Sequence, residues 1–178
     1  MLPTIRSRCQ ALPIPLPARN RSEEWLRQAG VSDPAHWLAL AGGSPLLAVE
    51  LAASDERELL DVLTAELSRG KNLDPLSAAT AVDRVIKAEK RPAPLKRMIE
   101  WAQKWLFDLT LSSEAQAPRY FLSQVKVLRT LAKQTDTAKL LAFNRKTLQY
   151  KLQCEQPLNS RLFLEDYFLS YAALFQTS

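Results

Sequence analysis

At 178 residues, with 47% apolar and 24% charged side chains, the chain has enough material for one large or two small cores, and its balance excludes a disordered polymer. No apolar run approaches the roughly 20 residues that cross a bilayer, and the start lacks the basic-then-apolar layout of a signal peptide, so a cytoplasmic protein is expected. The net charge of +5 excludes an acidic solvating tail but leaves open a partner that carries phosphates.

The chain opens on "LPTIRSRC", residues 2–9, which holds Arg6, Ser7, Arg8 and Cys9 before any helix signal begins. Next comes "QALPIPL", residues 10–16, whose Pro13 and Pro15 fit only a sheet edge or a strand end. A lone strand is not stable, so residues 2–16 read as the last piece of a sheet-containing domain. From there the syntax is helical. Ser22 with Glu23 and Glu24 starts a short helix that Gly30 stops, and "DPAHWLALAGG" has Asp33 as cap, Pro34 in the first turn and Gly42 as terminator. The same grammar recurs at Ser44-Pro45, at Ser54 with a stop at Gly70, and at Asp74-Pro75. Four further helices are expected near residues 93–112, 118–134, 136–154 and 159–176. The fold class is all-α.

Spacing sorts the faces. Leu95, Met98, Ile99, Ala102, Trp105, Leu106 and Leu109 repeat at three and four as one core stripe, with Lys96, Glu100, Gln103 and Lys104 opposite. The last helix has a broad apolar face, Phe163, Leu164, Tyr167, Phe168, Tyr171, Leu174 and Phe175, while Leu162 and Leu169 lie seven apart among the polar residues of the other side. Those two leucines predict a second contact, with a helix of the same bundle or with another subunit. Between residues 126 and 151, Lys126, Arg129, Lys133, Lys139, Arg145, Lys146 and Lys151 face only Asp136. That surplus reads either as solvated helix faces or as a basic all-helical module for nucleic acid or an adaptor role.

Chemistry-bearing patterns are few. Cys9 and Cys154 stand at opposite ends with no CxxC or Cys/His spacing, and His36 is the only histidine, so no disulfide, metal or cofactor is expected. No acid pair, Cys/His pair or Ser/His arrangement has the spacing of a catalytic site.

"LPTIRSRCQ", followed by "LALAGGSPLLAVELA" and a helical block ending "NSRLFLEDYFLSY", resembles the rear part of the delta prime family of clamp-loader subunits of bacterial DNA polymerase III. The resemblance covers essentially the whole chain. It implies that residues 1–18 are the tail of a truncated AAA+ nucleotide-binding-type domain, 19–53 a small helical lid and 54–178 a helical-bundle collar that holds the loader's subunits together. The partners it implies are the motor ATPase subunit and delta, with the sliding clamp and primer–template DNA reached through the complex. It also implies that Ser7-Arg8-Cys9 faces a neighbour's nucleotide, with Arg8 as a trans-acting arginine finger. A planar, permanently charged fork suits the charge that develops on a transferring γ-phosphoryl group. Arg6 is the near competitor, and both arginines also fit a solvated basic turn. Cys9 has no accompanying base and reads as a small apolar residue.

One departure matters. ATP-binding relatives carry an arginine in the G-S-x-R position of this lid, whereas here Pro45 and Leu46 follow Ser44. No G-x-x-x-x-G-K-[ST] loop occurs in the chain either. A non-hydrolysing subunit is therefore expected.

Overall fold

A computed structural model describes residues 10, 12, 15–54, 56–88, 94–154, 156 and 158–176. Among them run α1 Arg19–Gln28, α2 Pro34–Leu40, α3 Pro45–Ala53, α4 Arg57–Leu67, α5 Pro75–Ala88, α6 Pro94–Ser113, α7 Val125–Ala132, α8 Thr137–Gln153 and α9 Ser160–Ala172. The described residues contain no strand, so the all-α class expected from the punctuation is the one observed. Gln10, Leu12 and Pro15–Ala18 are exposed; the rest of "QALPIPL", and all of residues 1–9, lie outside the described residues.

Several caps work as their residue types require. The Ser44 hydroxyl accepts the Leu47 N–H at 3.4 Å, with Pro45 in the first turn. The Asp74 carboxylate accepts the Leu76 N–H at 3.2 Å, and Asp136 accepts from Ala138 and Lys139 at 2.8 and 3.1 Å. Gly42, at φ +66°, ends α2. Its N–H reaches the Ala39 carbonyl and the Gly43 N–H reaches that of Leu38, both at 2.9 Å, which satisfies the two carbonyls a helix end leaves over.

Other boundaries differ from the expectation, each for a physical reason. Ser22 is not a cap: α1 begins at Arg19, and the buried Ser22 hydroxyl donates back to the Ala18 carbonyl at 3.2 Å. Asp33 precedes Pro34 in the left-handed region, at φ 56°, and its side chain makes no cap bond. Ser54 closes α3 rather than opening α4, because its hydroxyl donates to the Leu51 carbonyl at 2.7 Å; α4 starts only at Arg57. At the other end α4 stops at Leu67, and Gly70, at φ +52°, begins a single 3₁₀ turn. A Cβ there would lie 2.3 Å from the Leu131 side chain of α7, so glycine lets the turn sit directly on α7.

The expected helix from 118 starts later, at Val125 after a 3₁₀ turn over Leu122–Gln124. The cause is Asp108 on α6, fully buried, whose carboxylate accepts the backbone N–H groups of Arg119, Tyr120 and Phe121 at 2.7, 2.8 and 2.7 Å. Those donors bind an anion instead of a helical ladder. Phe121 then stacks edge-on against Trp105, with ring centres 5.2 Å apart.

Helices α1, α2 and α3 pack on one another, while α4, α5, α6, α7, α8 and α9 form the larger bundle. α9 lies on α5 and beside α8. Its Tyr171 hydroxyl accepts the Trp105 indole N–H at 3.1 Å and donates to the Leu67 carbonyl at 2.8 Å, joining α9 to α6 and α4 in the middle of the core. One hydrophobic cluster runs from Leu26 on α1 to Leu174 after α9.

The supposed polar side of α6 is occupied too. Gln103 donates to the Thr147 carbonyl on α8 at 3.3 Å. The Lys104 ammonium donates to the last carbonyl of α2, that of Leu40, at 2.6 Å, and burial holds its pKa below the ordinary lysine value. Arg97 on the same helix pairs with Glu56 at 2.9 Å.

Candidate assembly face

α8 is built to be seen from both sides. Its inward residues, Leu140, Phe143, Thr147 and Tyr150, are buried against α6 and α9. On the outward side Leu141, Leu148 and Leu152 are 47%, 61% and 68% exposed. Offsets of seven and four residues put those three in one line along a 3.6-residue helix.

α9 repeats the design. Asn159 caps it, its side-chain oxygen accepting from Arg161 and Leu162 at 3.0 and 3.3 Å. Phe163, Leu164, Tyr167, Phe168 and Tyr171 point into the core. Leu162 and Leu169 are 63% and 53% exposed, which settles one of the alternatives posed by their spacing: no helix of this bundle covers them among the described residues. Leu141, Leu148 and Leu152 carry a related signal, seven-and-four spacing on the side away from a core stripe, masked in the sequence by the basic residues around them.

The seam between the two helices is polar and fixed. Lys146 donates to the Ser170 hydroxyl at 2.7 Å, lies 3.6 Å from the Asp166 carboxylate and sits 5.2 Å above the Tyr150 ring. The Tyr150 hydroxyl in turn bonds Asp166. Hydrogen bonding to Tyr150 raises the Lys146 pKa, and burial followed by the Asp166 bond raises that of Tyr150. The lysine therefore stays charged and the tyrosine neutral at physiological pH. The outward leucines of each helix offer an apolar line of the kind that suits a helix-to-helix contact.

The remaining sequence candidates separate cleanly. Arg6, Ser7, Arg8 and Cys9 lie outside the described residues. Leu46, which follows Pro45 in the "GGSP" turn, is exposed at the start of α3. His36 sits edge-on to Trp37 at 5.1 Å, and burial lowers its pKa. Among the described residues no three of His, Cys, Asp or Glu are grouped to hold a metal ion, and no helix is long and apolar enough to cross a membrane.

No protein-family model matches the chain. It is 32% identical to the DNA polymerase III subunit delta′ of Pseudomonas aeruginosa across 188 aligned residues, which take in 98% of this chain and 54% of that protein. The expected resemblance thus extends over nearly the whole chain. The chain is similar to that delta′ subunit and spans about half of its length.

Proposed function

We propose that the chain serves as the lid and collar of a non-hydrolysing clamp-loader subunit in the replicative polymerase of the bacterial cytoplasm. The observation that carries this is the 32% identity to a delta′ subunit along 98% of the chain. In this reading residues 1–18 end an AAA+-type domain, 19–53 are the lid and 54–178 the collar. The collar meets the motor ATPase subunit and delta, and the assembled loader acts on the sliding clamp and primer–template DNA. The outward leucines of α8 and α9 are the contact surface. Leu46 and Pro45, standing where a sensor arginine would reach phosphate, support a subunit that holds no ATP of its own to hydrolyse.

The assembly surface is tested by two double variants, Leu162→Glu with Leu169→Glu, and Leu148→Glu with Leu152→Glu. Solvent-facing helix substitutions of this kind change stability by about 0.5 kcal/mol or less each, so melting of a double variant should shift by no more than about 4 °C. Association with the motor and delta subunits should weaken at least about tenfold, since a lost leucine contact and a buried carboxylate each cost about 1 kcal/mol or more. If both variants assemble like the unaltered chain, the surface is wrong.

Arg8 is the proposed finger. In a loader reconstituted with the full subunit, Arg8→Ala should leave assembly intact and slow single-turnover ATP hydrolysis at one neighbouring site at least about tenfold, a modest share of the 10³ to 10⁵ that arginine fingers supply in GTPases. Arg6→Ala should have the smaller effect. Equal hydrolysis by the unaltered and Arg8→Ala proteins would reduce the segment to a structural turn.

A further inference from the structure

A second surface is left unused by that reading. Between the end of α4 with its 3₁₀ turn and the outer side of α7 lies a groove of about 330 Å³, with Arg69, Lys71, Asn72, Lys126, Thr130 and Gln134 along its walls. No carboxylate lines it. Arg69 pairs at 3.3 Å with Glu66, which is itself buried beneath the turn, whereas Lys71 and Lys126 make no ion pair with any described residue. Arg129 and Lys133 extend the cationic side of α7 away from Lys126 at offsets of three and seven residues, and both are exposed. Gly70 makes the juxtaposition possible: only without a Cβ does the turn carrying Lys71 lie against Leu131 of α7.

We infer that this groove binds the phosphate backbone of duplex nucleic acid, using Lys71 and Lys126 as its principal contacts and Arg69, Arg129 and Lys133 around them. Three observations select that occupant. The walls combine cations with hydroxyl and amide donors, the set that serves phosphate oxygens without reading bases. No aromatic ring lines the groove, so the stacking that holds single strands is missing. Lysine-rich surfaces with no large apolar anchor are also the opposite of protein interfaces, where lysine is depleted and aromatic anchors concentrate. Binding through this surface does not require the loader, so its test is independent of the clamp-loader reading.

The measurement is fluorescence anisotropy of a labelled 24-base-pair DNA duplex titrated with the 178-residue chain at several salt concentrations. About four neutralised phosphates give a slope of about −3.6 in log K against log salt. The double variant Lys71→Glu with Lys126→Glu should lose at least about tenfold in affinity at 0.1 M salt and flatten the slope by about two. Arg21→Glu with Arg84→Glu, exposed cations outside the groove, makes the same change in net charge and should lose less than about threefold. Equal losses in the two double variants would mean diffuse attraction to a basic protein and overturn the site. So would tighter binding of a polyglutamate peptide than of the duplex, which would point to an acidic protein partner, and so would preference for a 24-nucleotide single strand.

Discussion

Cutting the chain before Asn159 is expected to abolish the cooperative thermal transition of the whole bundle. The cut removes Phe163, Leu164, Tyr167, Phe168 and Tyr171 from α9 and Leu174 from the turn after it, all buried. At about 1.5 to 3 kcal/mol for each large apolar side chain, the loss is about 9 to 18 kcal/mol, comparable to the whole of the 5 to 15 kcal/mol by which a domain is ordinarily stable. The damage is not confined to the end of the chain. Tyr171 is the hydrogen-bonding partner of both Trp105 and the Leu67 carbonyl, and Ser160 ties α9 to Asp83 of α5 at 2.6 Å. Circular dichroism against temperature decides the matter: a sloping, non-cooperative trace is expected, and a sigmoidal melt at the temperature of the intact chain would contradict the central placement of α9.

Asp108→Ala should be the most damaging single substitution in the bundle. It strands the three N–H groups that the carboxylate now receives, at about 1 to 3 kcal/mol for each donor left buried and unsatisfied. Water can reach Arg119, which is exposed, but not the buried Phe121, so a net loss of about 3 kcal/mol or more is expected. For a domain of this size that lowers Tm by about 6 to 12 °C. Asp108→Asn should recover only part of the loss, because its amide NH₂ presents a donor where donors already converge. A shift below about 2 °C for the alanine variant would show that the loop finds other acceptors.

Much of this arrangement was legible before any coordinates. Ser44-Pro45 and Asp74-Pro75 start helices where the residue types say they should, and the three-and-four spacing of Met98, Ile99, Ala102, Trp105, Leu106 and Leu109 marks residues that are all fully buried. The misreadings share one cause. A short polar side chain announces that it will satisfy a backbone group, not which one. Ser22 and Ser54 donate backwards to carbonyls instead of accepting forwards from N–H groups, and Asp108 captures donors more than ten residues away. Lys104 and Gln103 have spacing that opposes the core stripe, yet they end on α2 and α8. Gly70 looked like a helix stop, since a sequence cannot say what lies 2.3 Å from an absent Cβ. On the assembly face, Leu162 and Leu169 stood out by their polar neighbours, while Leu141, Leu148 and Leu152 needed the helix to be drawn with two sides.

The bond from Lys104 to the end of α2 bears on how such chains can change over generations. Residues 19–53 amount to three short helices, below the roughly 40 residues at which a chain usually needs outside support to fold, and their buried residues belong to the same cluster as those of the bundle. The larger unit adds to the core of the small one and supplies a cation for the last carbonyl of α2. Recombination that exchanged the stretch alone would have to import a matching α6 with it. Sequence drift in either part is thus answerable to the other.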